Sequence, residues 1–184
     1  ANDADGYDHE RAGQSVALHL NGDRTGVWGC ALYGGQDTLF TGDAGSRSYF
    51  ADTYVNGSVD AIFGGSASVF DRAVIEMNYT ITAHRGNGST AYLFVNASVD
   101  SIGGGAANPA ALLLGRPWGP QASVVWLNSA MGAGVAPLGW DDWGHGCTAH
   151  HTTWCANVTY AEFNTTGRGA AKYSGTTGMF SCAI

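Results

Sequence analysis

The chain has 184 residues and a formal net charge of -7, and 45% of its residues are hydrophobic whereas only 12% are charged. This composition excludes a disordered chain, and an acidic protein without a basic stripe is a poor candidate for binding nucleic acid. No apolar run approaches the roughly 18 residues that a membrane-spanning helix needs, so we expect no membrane partner. The 28 glycines, together with abundant Val, Thr, Ser and aromatic residues, are typical of strands and tight turns.

Five short segments along the chain resemble one another and predict a repeat. They are VWGCALY (27–33), YFADTYV (49–55), VFDRAVI (69–75), LFVNASV (93–99) and VWLNSAM (125–131). Each opens with an apolar residue followed by an aromatic, and these aromatics are Trp28, Phe50, Phe70, Phe94 and Trp126. The successive spacings are 22, 20, 24 and 32 residues. One strand-rich unit in every 20 to 24 residues or so is the pattern of a β-solenoid.

The repeat predicts an all-β fold, a right-handed parallel β-helix whose coils stack about 4.8 Å apart. A β-sandwich with strands at similar spacing is the alternative. The 32-residue spacing predicts a longer loop in that coil, within residues 100–122. The length fits one domain covering residues 1–184.

Residues one repeat apart become neighbours on adjacent coils of a solenoid. Gln14 and Gln36 are 22 residues apart, and Asp37 and Asp60 are 23 residues apart. Two amides and two carboxylates are therefore predicted to lie side by side on one face.

Arg116 is predicted to reach the same face from two coils away. It follows Asp60 by 56 residues, and His84 is the residue predicted at the same phase on the coil between them. Two coils span roughly 9.6 Å of backbone, so only a long side chain such as arginine could reach back to Asp60.

Taken singly, these residues have structural interpretations. Asp37 could end a turn, Gln14 and Gln36 could form an amide ladder, and Asp60 with Arg116 could be a structural ion pair. Together they favour acyl transfer. A carboxylate held by arginine stays ionised and can act as a nucleophile, a neighbouring carboxyl can stay protonated as a general acid, and amides can stabilise an oxyanion. The Gly-x-Ser-x-Gly motif of the rival serine esterases is missing.

Asparagine acceptor sites and cysteines indicate a secreted glycoprotein. Six Asn-x-Ser/Thr sites occur, at Asn56, Asn78, Asn87, Asn96, Asn157 and Asn164. The spacing of Cys147 and Cys155 predicts a local disulfide that closes the loop 143–155, whereas no partner is predicted for Cys30 or Cys182. The histidines of this loop could form a metal site instead, but their spacing fits no standard zinc pattern.

Six motifs follow one another along the chain: GQSVALHLNGDR, GGQDTLF, YVNGSVDAIFG, LLLGRPWGP, GWDDW and YAEFNTTGRGA. In this order they resemble the pectin methylesterases, a family of carbohydrate esterases, from about residue 12 to residue 172. The resemblance implies a right-handed parallel β-helix, hydrolysis of the C6 methyl esters of galacturonate units in pectin with release of methanol, and a secreted, cell-wall location. It also implies that no metal or organic cofactor is needed.

The resemblance also implies roles for individual residues. Asp60 would be the nucleophile, and Asp37 would protonate the departing methanol and then activate water. Arg116 would hold Asp60 ionised and oriented.

Three further residues take roles from the same resemblance. Gln14 and Gln36 would stabilise the tetrahedral oxyanion, and Trp118 would line the sugar-binding groove.

The chain departs from the family pattern at two places. Ala61 stands where the family has phenylalanine, which either opens the site or reports a changed core. Only about 13 residues precede Gln14, so we expect the N-terminal coils of the family to be missing and another chain or segment to cover that end.

These departures leave alternative functions open. One is a catalytically impaired, pectinesterase-like domain with a glycan-binding or structural role in an extracellular or cell-wall assembly. Another is a polysaccharide lyase or hydrolase on the same fold.

Overall fold

The computed structural model of the protein describes residues 13–104, 111–145 and 155–170. Its strands are β1 Leu18–His19, β2 Thr25–Trp28, β3 Ala31–Tyr33, β4 Leu39–Phe40, β5 Arg47–Ala51, β6 Tyr54–Gly64, β7 Ala67–Asp71, β8 Val74–His84, β9 Tyr92–Val95, β10 Ser98–Ser101, β11 Arg116–Pro117, β12 Ser123–Leu127, β13 Ala130–Met131 and β14 Thr159–Phe163. No helix in these ranges is long and apolar enough to cross a membrane.

The strands form two parallel sheets that wind into a solenoid, which confirms the predicted parallel β-helix. Sheet A has the order β1-β4-β6-β8-β10-β13, with β3 paired to β6 and β11 paired to β8. Sheet B has the order β14-β12-β9-β7-β5-β2. The chain alternates between the sheets, so each coil contributes one strand to sheet B and the following one to sheet A.

A two-residue corner joins each sheet B strand from β2 to β12 to the sheet A strand that follows. Its first residue always has a left-handed backbone, with φ between 50° and 61°, at Gly29, Asp52, Arg72, Asn96, Asn128 and, after β14, Asn164. This conformation favours Gly, Asn and Asp, which occupy five of the six positions. The second residue can bond back to the strand, as Thr53 Oγ1 and Ser129 Oγ do to the carbonyls two residues earlier, at 3.2 and 2.9 Å.

A continuous aromatic stack fills the core. The rings of Phe50, Phe70, Phe94 and Trp126 are fully buried, with successive centroids 4.6, 4.6 and 3.9 Å apart. Four of the five predicted repeat aromatics therefore form one ladder.

The prediction for the fifth aromatic, Trp28, is wrong. Val27 pairs with Phe50 in the ladder, whereas Trp28 pairs with Ala51 and is 64% exposed. The reason is that the first coil is one residue longer than the aromatic spacing suggests, and a shift of one residue moves a side chain to the other face of a strand.

The long coil predicted within residues 100–122 is confirmed. Residues 102–115 separate β10 from β11, and within them Leu112 and Leu113 form isolated bridges to Val135 and Thr80. This excursion returns the chain to sheet A beside β8, where Arg116 begins β11.

Candidate active site

Asp60 lies at an irregularity of the longest sheet A strand. The pairing of β6 with β8 shifts register between Val59 and Ile62, and Asp60 between them has a left-handed φ of 51°. Ala61 belongs to the hydrophobic core, whereas the Asp60 carboxylate bonds to Arg116. The bulge therefore allows a carboxylate to leave a strand whose neighbouring residue is fully buried.

Arg116 holds the Asp60 carboxylate in a bidentate ion pair. Its Nε donates to Oδ1 at 2.9 Å and its Nη2 donates to Oδ2 at 2.6 Å. Burial lowers the pKa of Arg116, but the hydrogen bonds and charge of Asp60 outweigh it and leave the pKa raised. Asp60 is only 3% exposed, so the guanidinium supplies the charge compensation that a buried carboxylate requires.

The predicted phase of Arg116 is wrong, although its partner is right. Arg116 pairs with Ala83, and Ala83 pairs with Phe63, so its ladder neighbour on β6 is three residues beyond Asp60. The register shifts in β6 cause this difference, since extra residues on one strand displace every later pair.

His84 does not lie between Asp60 and Arg116, as the sequence predicted. It is fully buried, its Nδ1 accepts the N–H of Ser123 at 2.9 Å, and its ring lies 4.4 Å from that of Tyr92. Burial lowers the pKa of His84 to about 4, so this histidine is a neutral packing residue near neutral pH.

Asp37 lies one coil before Asp60. Its N–H donates to the carbonyl of Val59 at 3.0 Å, and two residues later Leu39 pairs with Ile62, so the two aspartates occupy adjacent coils as predicted. Burial raises the pKa of Asp37 to about 6, the charge of Asp60 adds to this rise, and Arg116 opposes it. Asp37 also has a left-handed φ, of 64°.

The two glutamines lie on adjacent coils beside the aspartates. The N–H of Ser15 donates to the carbonyl of Gln36 at 3.1 Å, which brings the first described coil alongside the second. Gln14 is exposed and Gln36 is half-buried, so both amides are accessible to a bound molecule.

An aromatic row extends from this site across sheet A. It consists of His19, Phe40, Phe63 and Trp118, with successive ring centroids 4.5, 5.1 and 6.1 Å apart. Trp118 is 38% exposed, and the guanidinium of Arg85 lies 4.5 Å from its ring centre. The row provides apolar faces on which sugar rings can stack.

Sequence reasoning missed Trp143. Its ring lies 3.9 Å from the guanidinium carbon of Arg116, on a loop with no repeat partner. The cation therefore contacts an aromatic face and a carboxylate at once, which fixes its orientation. The signal available was an aromatic residue in the GWDDW motif.

The missing aromatic at Ala61 reports a changed core. Ala61 is fully buried within the core cluster, so it faces the interior of the solenoid rather than the groove. The interpretation of an opened site is therefore wrong, and that of a changed core is confirmed.

The acceptor asparagines differ in their surroundings. Asn56 is 4% exposed and its Nδ2 donates to Tyr54 Oη at 3.3 Å, which disfavours a glycan there. Asn96 and Asn164 occupy left-handed corner positions, which explains asparagine without a glycan. Asn78 is half-buried, and Asn87 and Asn157 are exposed. Glycosylation remains a prediction for these sites.

The C-terminal loop lies mostly outside the described residues. Cys155 is disulfide-bonded and Cys30 is a free thiol. Cys147 is not among the described residues, so its pairing with Cys155 remains a prediction. Within residues 13–104, 111–145 and 155–170, no group of three or more His, Cys, Asp or Glu residues could hold a metal ion.

Known proteins share both the sequence pattern and the fold. The family model Pectinesterase matches residues 6–177. Pectinesterase 31 of Arabidopsis thaliana is 34% identical over 141 residues, which cover 74% of this chain and 43% of that protein. Probable pectinesterase A of Aspergillus fumigatus is 30% identical over 164 residues, covering 87% of this chain and 47% of the relative. The chain thus spans less than half the length of these relatives.

Solved structures give the same result. The pectin methylesterase of Aspergillus niger superposes with a TM-score of 0.79 at 28% identity, covering 95% of this chain and 55% of that one. The carrot enzyme has the same fold, with a TM-score of 0.78 at 23% identity over 92% of this chain and 55% of its own. With a family match over most of its length and the fold of these enzymes, the chain belongs to the pectinesterase family.

Proposed function

We propose that the protein hydrolyses the C6 methyl esters of galacturonate units in pectin and releases methanol. The observation that carries this proposal is the pair of carboxyl groups on adjacent coils, of which one is held by Arg116 and the other has a pKa raised to about 6. Ester hydrolysis through a covalent intermediate needs one ionised and one protonated group, and this difference in environment separates the two roles.

In the first step, an oxygen of Asp60 attacks the ester carbonyl carbon. The carbonyl oxygen becomes an oxyanion that the side-chain amides of Gln14 and Gln36 stabilise by donating hydrogen bonds. When the intermediate collapses, the bond to the methoxy oxygen breaks, and that oxygen takes the proton of Asp37 to leave as methanol.

In the second step, Asp37 is ionised and accepts a proton from water. The resulting hydroxide attacks the acyl carbon bonded to Asp60, and collapse of this intermediate frees the galacturonate carboxylate and restores Asp60. Asp37 ends the cycle protonated, so the same residue serves as acid and then as base. Trp118 and the rest of the aromatic row would hold the neighbouring sugars.

We place the protein outside the cell, in or near the cell wall. The disulfide bond of Cys155 supports this location, because disulfides persist in oxidising compartments. The proposed substrate is a polysaccharide found in the same place.

Methanol release from highly methylated pectin tests the proposal. The wild-type chain should release methanol, and Asp60→Asn should abolish release because an amide cannot act as the nucleophile. The matched control is Asp52→Asn, a change at an exposed corner whose left-handed φ of 52° suits asparagine, and it should leave the rate unchanged.

The assay also separates the alternatives. Pectin binding by the folded protein without methanol would favour the impaired, glycan-binding domain. Shortened chains without methanol would identify a lyase or hydrolase and would contradict the proposal.

A further inference from the structure

The outer face of sheet B contains a groove that the proposed reaction does not use. Two cavities of about 530 and 300 Å³ adjoin there, and both are lined by Arg47 and Ser48. Together they extend from Trp28 on β2 to Thr159 on β14. The groove, called here the sheet B groove, crosses all six strands of the sheet, a distance of roughly 24 Å.

The floor of the sheet B groove is apolar and regular. Tyr49, Val69 and Leu93 are register partners on consecutive strands, and their side chains alternate with the inward-facing aromatic stack. Polar groups line the rim, contributed by Ser89, Gln121, Ser123 and Thr159. An apolar floor with a few hydrogen-bonding groups is the usual composition of a small-molecule or sugar site.

One end of the groove contains an exposed aromatic platform. Trp28 is 64% exposed and Tyr49 is 38% exposed, with ring centroids 6.3 Å apart. The Trp28 ring lies directly over Gly26, where a Cβ atom would collide with it. A glycine at this position therefore lets the indole lie flat against the strand and present one face to a ligand.

The charge of the groove fits a sugar polymer that carries some carboxylates. Arg24 and Arg47 line it, and both are close to Asp23: Arg47 Nε donates to Oδ1 at 2.9 Å, and Arg24 Nε is 3.5 Å from Oδ2. Two guanidinium groups against one carboxylate leave one positive charge on a chain with a net charge of -7. This local excess favours a partly esterified polyuronide over a fully ionised one.

We propose that the sheet B groove is a second, non-catalytic binding site for a segment of galacturonan. The identity of the sugar rests on the proposed function, whereas the aromatic platform and the groove do not. A polymer bound there stays attached to the protein while another segment occupies the site on sheet A, so the groove raises affinity for long chains only.

The test measures binding of long, partly esterified galacturonan to the full chain carrying Asp60→Asn, which prevents turnover. Adding Trp28→Ala or Tyr49→Ala should weaken binding by about fivefold to tenfold each, since each removes one stacking surface. Gly26→Ala should have a similar effect by displacing the Trp28 ring without deleting it. The matched control is Phe163→Ala, an exposed aromatic on the same sheet that lines neither cavity, which should leave binding unchanged.

A second measurement separates this inference from the proposed function. With Asp60 intact, Trp28→Ala should release methanol from a methyl-esterified trimer at the wild-type rate, because a trimer is too short to reach both sites. Wild-type protein that fails this trimer assay contradicts the proposed function but not the groove. Unchanged polymer binding in all three groove variants, each folded by circular dichroism, overturns the groove. So does a change in sedimentation mass, which would identify the face as an interface between copies.

Discussion

Arg116 donates two parallel hydrogen bonds to Asp60, from Nε to Oδ1 at 2.9 Å and from Nη2 to Oδ2 at 2.6 Å. Lysine cannot reproduce this planar fork, because its ammonium is a single point charge. We therefore expect Arg116→Lys to leave the charge balance intact but to misorient Asp60, lowering kcat by about 10²-fold. Initial rates of methanol release would measure this.

The control for this variant is Arg85→Lys, which changes an exposed pair with Asp43. It should alter kcat by less than the Arg116 change, since surface ion pairs contribute about 0–1 kcal/mol. Equal effects of the two substitutions would contradict the positioning role of Arg116.

The proton on Asp37 sets one limb of the pH profile. Because the pKa of Asp37 is raised to about 6 by burial and by Asp60, the acid form needed in the first step is lost as the pH rises through about 6. We expect kcat/KM for methanol release to fall above this pH. Asp37→Asn should remove both the activity and this limb, and a profile that is flat through pH 6 in the wild type would contradict the assignment.

The same pKa has a consequence for stability. Asp37 titrates near 3.8 when unfolded and near 6 when folded, so its protonated form favours the folded state. The stabilisation is complete below about 3.8 and is lost as the pH rises through 6, with about 3 kcal/mol as the upper limit. Asp37→Asn should therefore raise the midpoint of urea unfolding above pH 6 and have little effect below pH 3.8.

Asp52 provides a contrasting control. Its pKa is lowered by the hydrogen bonds from Arg72, so Asp52→Asn should bring no gain in stability at high pH. A gain of the same size in both variants would show that the effect is general rather than specific to Asp37.

Restoring the aromatic at residue 61 should fail. Ala61 is fully buried, and a Cβ added at Gly57 would already lie 3.0 Å from the Ala61 Cβ, so the surrounding core has no space for a phenyl ring. We expect Ala61→Phe to destabilise the protein by about 1–3 kcal/mol or more in urea unfolding, without raising methanol release. A variant that is stable and more active would show that residue 61 faces the groove after all.

The repeat was predictable because the solenoid core imposes one aromatic per coil. Phe50, Phe70, Phe94 and Trp126 stack at van der Waals distance, so their spacing reports the length of each coil directly. The side-by-side placement of Asp37 and Asp60 followed from the same spacing, because both lie within regular coils.

The phase of Arg116 and the contact of Trp143 could not be predicted in this way. A bulge in β6 and the long coil before β11 change the count of residues between Asp60 and Arg116. Trp143 approaches Arg116 from a loop outside the repeat. Register arguments fail where the chain leaves the ladder, which is also where catalytic groups gather.

The constant corner after sheet B determines where this fold can change. That corner has two residues in every coil from β2 to β12, whereas the opposite corner, from sheet A to sheet B, varies from two residues after β6 to seven after β8. Insertions are thereby confined to the side where sheet A ends, next to the aromatic row and Trp118. A designer could therefore exchange loops on that edge to alter which polymers are accepted, and the unchanging corner would keep the coils, and with them Asp37 and Asp60, in register.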